Sequence, residues 1–350
     1  MTFDRKVTGV KPAPPDAWGR SPPATLETMS TPPSDPAPAV SWDGVLAAAD
    51  AIAASLPPTP AWTYPLLDEL VGATVVLKHE NTQPTGAFKV RGGLAFVARL
   101  DPAVRHLVTA STGNHAQSVA YAARSAGLRA TVVMPTTAPA NKIAATRALG
   151  AEVVVAGPTM TEAVEHARVL AADGAGRFVD PGGEPDILHG HATVSLELLR
   201  AHPDLEALYV PVGSGTGAAG ACVVRDAIAP GCRVIAVQSA QAPAVHDAWR
   251  AREPRSAACT TRASGLATAA SFAMTQAVLL DRLDEFLLVD DDDLDEARRI
   301  LVTHAHTLAE GAGAAALAGL LADPHRPAKC AIVISGGNAD EREIATLAGI

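Results

Sequence analysis

Lys89 stands in the run Lys78-His79-Glu80-Asn81-Thr82-Gln83-Pro84-Thr85-Gly86-Ala87-Phe88-Lys89-Val90-Arg91-Gly92-Gly93. Pro84 and Gly86 make a tight turn ahead of it, Phe88 flanks it, and a helix-like stretch follows. A lysine held in that way is not a freely solvated surface amine. It can condense with an aldehyde to form a Schiff base, and pyridoxal phosphate is the usual aldehyde cofactor. Taken alone, the segment also reads as a surface lysine in a loop, so the rest of the chain must decide.

Three further segments carry compatible chemistry. In Thr109-Ala110-Ser111-Thr112-Gly113-Asn114-His115-Ala116-Gln117-Ser118 a small polar turn runs into the helical stretch Val119 to Ala126. Hydroxyls and N–H groups at a helix N-terminus bind anions, and a carboxylate is such an anion. An ordinary helix cap by Ser111 or Thr112 would leave the same trace.

In Val210-Pro211-Val212-Gly213-Ser214-Gly215-Thr216-Gly217-Ala218-Ala219-Gly220 a β-like run feeds a glycine-rich turn and then an alanine-rich helix. Glycines let backbone N–H groups close on a phosphate, and the helix dipole favours its charge. Gly215 to Gly220 also fits the dinucleotide pattern G-x-G-x-x-G, so a nicotinamide enzyme has to be weighed. That fold wants an acidic residue about 20 positions on, for the ribose. The following strand, Val234-Ile235-Ala236-Val237, ends instead at Gln238, which favours a monophosphate. In Ala331-Ile332-Val333-Ile334-Ser335-Gly336-Gly337-Asn338 a buried β-run ends in Ser335, and the glycines allow a flat ring to approach. A hydroxyl there can hydrogen-bond a pyridine nitrogen without forcing it to carry a proton.

In this order the four segments resemble the fold type II (tryptophan synthase β-like) pyridoxal-phosphate enzymes, and most of all the serine/threonine dehydratases and serine racemases. The likeness runs from about Trp42 to Asn338. It implies that Lys89 is the Schiff-base lysine, that Phe88 flanks the cofactor ring and that Asn114 contacts the ring 3-hydroxyl. Gly213, Ser214, Gly215, Thr216 and Gly217 would hold the phosphate, and Ser335 the ring nitrogen. Ser111, Thr112, Gly113 and His115 would meet the substrate carboxylate. Glu310, in Leu308-Ala309-Glu310-Gly311-Ala312, matches an acidic residue that the family keeps near the cofactor. The implied reaction is β-elimination of L-threonine, L-serine or a related β-hydroxy amino acid to a 2-oxo acid and ammonia. Lys89 would act as the base, and the cofactor phosphate as proton donor to the leaving hydroxyl. A β- or γ-replacement synthase of the same fold, resembling the cysteine and threonine synthases, is the alternative, and a non-catalytic sensor a further one.

Some positions depart from the dehydratase pattern. Thr112 stands where racemases use a serine as the acid/base on the opposite face, so racemisation is disfavoured. Ala87 stands where a serine usually precedes Phe-Lys. Gln238 and Ala244 replace acidic ligands of a divalent ion; both are neutral, so no metal is expected. His189 and His191 replace a Gly/Gln-rich stretch and read as hydrogen-bonded histidines or as residues facing the substrate. His304 and His306 are two apart on an expected helix and cannot share a face. The chain stops 12 residues after Asn338, so no C-terminal regulatory domain is expected.

The elements that must position these groups alternate. Strands are expected at 73–78, 106–110, 130–134, 152–156, 208–212, 234–237 and 331–334, and helices at 43–56, 90–100, 116–126, 140–149, 160–172 and 294–308. Short apolar runs separated by helices predict an α/β fold in two domains, with parallel or mixed sheets covered on both faces. Ligands in such sheets bind past the carboxyl ends of strands, where Ser111, Gly213 and Ser335 all fall. The resemblance divides the chain into a large cofactor-binding domain, residues 41–105 and 187–350, and a small mobile domain, residues 106–186. Residues 1–40 hold nine prolines and little apolar periodicity, which predicts a disordered tail.

A hydrophobic content of 48% is ample for such a core, and 350 residues suggest two domains. The formal charge of −9 argues against nucleic acid or an anionic membrane as partner. Asp290 to Asp293 read as the capped start of a helix. Cys222, Cys232, Cys259 and Cys330 lack metal or disulfide spacing and read as reduced thiols. No run is long enough to span a bilayer, and residues 1–30 lack the apolar core of a signal peptide. A cytoplasmic enzyme follows, and a homodimer is expected from look-alikes.

Overall fold

The computed structural model describes residues 40–174 and 176–348. The expected proline-rich tail lies outside the described residues, apart from Val40. The strands are β1 (Ala61–Trp62), β2 (Thr74–His79), β3 (His106–Ala110), β4 (Arg129–Met134), β5 (Glu152–Val155), β6 (Arg177–Phe178), β7 (Ala207–Pro211), β8 (Arg233–Ser239), β9 (Glu285–Val289) and β10 (Lys329–Ile334). The first helices are α1 (Trp42–Ile52), α2 (Pro65–Val71), α3 (Lys89–Ala98), α4 (Asn114–Ser125), α5 (Ala140–Ala148), α6 (Met160–Asp173) and α7 (Pro185–Ala201). Then come α8 (Thr216–Ile228), α9 (Ala244–Ala251), α10 (Ala273–Arg282), α11 (Asp291–Ala305), α12 (Gly311–Ala322) and α13 (Glu341–Ala348).

Two sheets result. One has the order β1-β2-β10-β7-β8-β9, parallel except for β1, and the other the order β5-β4-β3-β6, parallel throughout. Both are apolar on both faces because helices cover both. Along β10, Cys330, Ile332 and Ile334 pack with Leu317 and Leu320 of α12, whereas Ala331 and Val333 pack with Leu188 of α7 and Val223 of α8. This two-residue alternation is what a doubly covered strand requires. α12 is apolar all round, and Gly311 to Leu320 are buried. In the second sheet, Leu107 and Val132 face α4, whereas Val108 and Val133 face α6.

Some elements differ from the sequence expectation. α1 ends at Ile52 rather than Leu56, and the last N–H groups fold back on the Ile52 carbonyl. α11 runs Asp291–Ala305, and His306 is its left-handed cap at φ 51°, so His304 and His306 do not lie on one helix. Asp290 caps α11 reciprocally with Asp293, as the acidic run implied. Asp291 is different: it is buried and accepts from Ser239, Thr261 and the Arg262 N–H. No helix among the described residues is long and apolar enough to cross a membrane.

Candidate active site

The turn before Lys89 is fastened to the end of β10. Ala87 bridges to Gly336, the Phe88 N–H donates to the Ser335 carbonyl at 3.0 Å, and the Gly337 N–H donates to the Gly86 carbonyl at 2.9 Å. Gly86 takes φ 68°, and a Cβ there would strike Asn338 Oδ1 at 2.5 Å. α3 therefore starts at Lys89 itself. The half-buried Lys89 lines a small cavity together with Phe88, Gly213 to Gly217, Gly265, Leu266, Ala312 and Ser335. Its Nζ lies 3.4 Å from Thr216 Oγ1 and 4.9 Å from the Phe88 ring centre. Burial pulls this amine down to about 8, because an ammonium loses hydration there.

The opposite wall is the start of α8. Gly215 caps the helix at φ 86°, a left-handed conformation that would strain any other residue. A Cβ on Gly213 would sit 2.4 Å from the Gly265 carbonyl oxygen. Thr275 Oγ1 donates to the Ser214 carbonyl at 2.8 Å and clamps the loop from α10. The first-turn N–H groups of α8 consequently face a cavity whose amine is Lys89, which is an anion-binding arrangement. On the floor, Ser335 Oγ donates to the Ala312 carbonyl at 3.2 Å.

The turn after β3 does not line this cavity; it adjoins the end of β10 through Asn114, whose Nδ2 would lie 3.2 Å from a Cβ on Gly336. The Gly113 N–H donates to Ser111 Oγ at 3.2 Å, Thr112 is half-buried beside it, and α4 starts at Asn114. Asn114 Nδ2 donates to Glu310 Oε1 at 2.6 Å. Asn338 Nδ2 donates to Asn114 Oδ1 and to the Thr85 carbonyl, both at 2.8 Å. Lys142 Nζ of α5 closes the chain on the Asn338 carbonyl at 2.7 Å. Glu310 is buried, and burial pushes it up to about 6 against the Asn114 bond. A Cβ on Gly336 would lie 2.1 Å from Glu310 Oε1, so these groups adjoin the end of β10.

Lys89, Phe88, Gly213, Ser214, Gly215, Thr216, Gly217 and Ser335 thus share one cavity, with Asn114 and Glu310 joined to its rim through Gly336. His115 is placed otherwise. Its buried ring meets Thr109 Oγ1 at 3.1 Å, and burial with the Lys89 charge lowers it to about 3. Position 115 therefore offers the turn its backbone N–H. His189 accepts the Ser41 N–H at 3.1 Å, and Gln238 Oε1 accepts the His246 N–H at 3.0 Å.

A buried ionic cluster escaped the sequence reading. Arg91, one turn into α3, binds Glu80 through Nε and Nη2 at 2.7 Å each and Glu197 through Nη1 at 2.6 Å. Lys78 Nζ reaches Glu197 Oε2 at 2.5 Å. Burial, the largest influence, would raise Glu80, but the Arg91 charge, the hydrogen bonds from Arg91 and Thr59 and the Lys78 charge together outweigh it and hold the carboxyl below its ordinary value. The available signal was Glu197 set inside Leu196-Glu197-Leu198-Leu199, a charge on an otherwise apolar helix.

Residues 52–336 match the family model described as pyridoxal-phosphate dependent enzyme. The chain is 38% identical over 279 residues to an L-threonine ammonia-lyase of Thermotoga maritima, covering 79% of this chain and 70% of that one. It is 34% identical over 318 residues to an L-threo-3-hydroxyaspartate ammonia-lyase of Pseudomonas sp., covering 88% and 98% respectively. Among solved structures it superposes on a T.th. threonine deaminase with a TM-score of 0.82 and 36% identity, over 86% of this chain and 99% of that one.

Proposed function

This chain belongs to the pyridoxal-phosphate dependent enzymes, and from that premise we propose that it is an ammonia-lyase eliminating the β-hydroxyl of L-threonine, L-serine or a related β-hydroxy amino acid. The products are the 2-oxo acid and ammonia. The carrying observation is Lys89: a lysine amine pinned at the end of β10, in one cavity with the start of α8.

The donor set suits the cofactor. A Cβ-free loop at Gly213 and the open N–H groups of α8 suit its phosphate, and Ser335 suits a ring nitrogen that stays unprotonated. Phe88 offers an apolar flank to the ring, and Asn114, held by Glu310 and Asn338, a polar edge. When bound, pyridoxal phosphate draws electrons from the amino acid and acidifies its Cα–H bond.

The protein's own groups do the rest. Ser111, Thr112, the Gly113 backbone and the first-turn N–H groups of α4, including that of His115, receive the substrate carboxylate. Lys89, whose amine is pulled down to about 8, is only about one-tenth unprotonated at pH 7, yet far more so than an ordinary lysine, and in that free-amine form takes the Cα proton. Loss of the Cα proton and of the β-hydroxyl leaves an unsaturated amine, and water then replaces its nitrogen. The amino acid becomes one 2-oxo acid and one ammonia, with the water lost and the water gained in balance.

Residues 106–186, which hold the four-stranded sheet, we assign to a small domain moving against 41–105 and 187–350. Cys222, Cys232, Cys259 and Cys330 are free thiols, which supports a reducing cytoplasm. Trp62, Leu66 and Leu70 are exposed, which supports association of two copies. The test is a panel of β-hydroxy and β-substituted amino acids, read by ammonia and 2-oxo acid release with and without a thiol acceptor. Release from threonine or serine without acceptor supports the assignment. Product only with acceptor overturns it in favour of a replacement synthase.

A further inference from the structure

Three helices meet at His191. α7 packs so closely on α8 that a Cβ on Gly220 would lie 2.8 Å from the Ala192 Cβ, and so closely on α3 that one on Gly92 would lie 2.5 Å from His191 Nε2. This places the buried His191 ring between two atoms of the site. Its Nδ1 is 3.0 Å from Thr216 Oγ1, and its Nε2 is 3.4 Å from the Lys89 carbonyl oxygen. The ring also packs on Phe88, centre to centre 4.6 Å. Thr216 Oγ1 in turn lies 3.4 Å from Lys89 Nζ.

The donors follow from chemistry. A carbonyl oxygen only accepts, so Nε2 carries the ring proton toward Lys89. Burial and the Lys89 charge keep the ring neutral, with His115 and Arg91 also disfavouring a second proton. Nδ1 is then an acceptor, and the Thr216 hydroxyl must donate to it. Its oxygen lone pairs are left pointing at Lys89.

We propose that His191 is a positioning residue that, by orienting the Thr216 hydroxyl, holds the free Lys89 amine in its reactive place. The proposal rests on Lys89 being the cofactor-linked lysine. It gives the chain a closed loop of three groups, from the amine through Thr216 and His191 back to the Lys89 backbone. Without His191 the Thr216 hydroxyl is free to donate its proton to the amine's lone pair and so occupy the electrons that attack an aldehyde.

The test is a double-mutant cycle on the cofactor-free protein, using His191→Leu, Thr216→Val and the pair. The probe is pyridoxal, which lacks the phosphate, so the α8 cradle does not enter. The readout is the rate of imine formation by absorbance, with each product fixed by borohydride and mapped. Each single variant is expected to slow capture at Lys89 by about three- to tenfold, the value of one such hydrogen bond. The double variant should be no slower than the slower single, and Thr216→Ser should recover wild-type rate within about twofold. Effects that multiply, or a Thr216→Ser variant as slow as Thr216→Val, overturn the proposal and leave His191 as packing only. Wild-type protein unlabelled at Lys89 would instead overturn the underlying assignment of Lys89.

Discussion

The backbone N–H of Phe88 donates to the carbonyl of Ser335 across 3.0 Å, tying the Lys89 turn to the strand whose end carries the Ser335 hydroxyl. Two segments some 250 positions apart in sequence are thereby held in register by a main-chain bond, which side-chain substitution cannot remove. Lys89 and Ser335 consequently keep a fixed spacing, as a rigid ring held at both ends demands.

The phosphate wall can be tested at Gly213. A methyl group there meets the Gly265 carbonyl oxygen at 2.4 Å, backbone against side chain, so the loop has to shift. Gly213→Ala should weaken pyridoxal-phosphate affinity about ten- to a hundredfold, the equivalent of a typical overpacking cost. Titrating cofactor-free protein by absorbance measures it. An unchanged affinity would remove this loop from the cofactor site.

The cluster around Arg91 should matter for stability. Arg91→Leu strips the fully buried Glu80 of its paired cation and leaves Glu197 with Lys78 alone. Stranding a buried charge costs about 3–5 kcal/mol. Urea unfolding of cofactor-free protein should show a loss of that size, with Arg91→Lys intermediate because a lysine cannot bridge both carboxylates. A variant within about 0.5 kcal/mol of wild type would contradict it.

Glu310 gives a pH signature with a definite sign. Its folded value, about 6, lies above the ordinary 4.5, so the folded state holds this proton more tightly than the unfolded chain. The stability it contributes is complete below pH 4.5 and is lost as pH rises through about 6. Glu310→Gln cannot ionise, so between those limits wild type should fall relative to this variant by on the order of 2 kcal/mol. Denaturant unfolding of both proteins across the range checks it, and parallel curves would refute it.

Lys89 should set the acid limb of turnover. The amine must be unprotonated to accept the Cα proton, and its ammonium form grows as pH falls through about 8. With saturating L-threonine, kcat should therefore decline below about pH 8, approaching tenfold per pH unit. A kcat that stays flat from pH 8 down to pH ~6 would assign the base elsewhere.

Much of this was legible in the chain. β3 was expected at its observed bounds, and the helices after Phe88 and after the 109–113 turn begin within two residues of expectation, because glycine, proline and polar turns punctuate apolar runs there. α12 was not seen: its residues are apolar on every side, so no helical period exists to detect. α7 was hidden by Gly190, a residue that reads as a breaker but serves close packing, since a Cβ there would meet the Arg91 carbonyl at 2.5 Å. The Lys78–Glu197 and His191–Thr216 contacts join residues 119 and 25 positions apart, and only the packing of the folded chain brings them together. Pairings of that reach leave no local pattern.

The most direct measurement is borohydride reduction of the purified, cofactor-loaded protein, followed by peptide mapping. A single pyridoxyl group on the peptide carrying Lys89 is the predicted result. A protein that takes no label, or carries it on another lysine, contradicts the assignment of this chain's chemistry to Lys89.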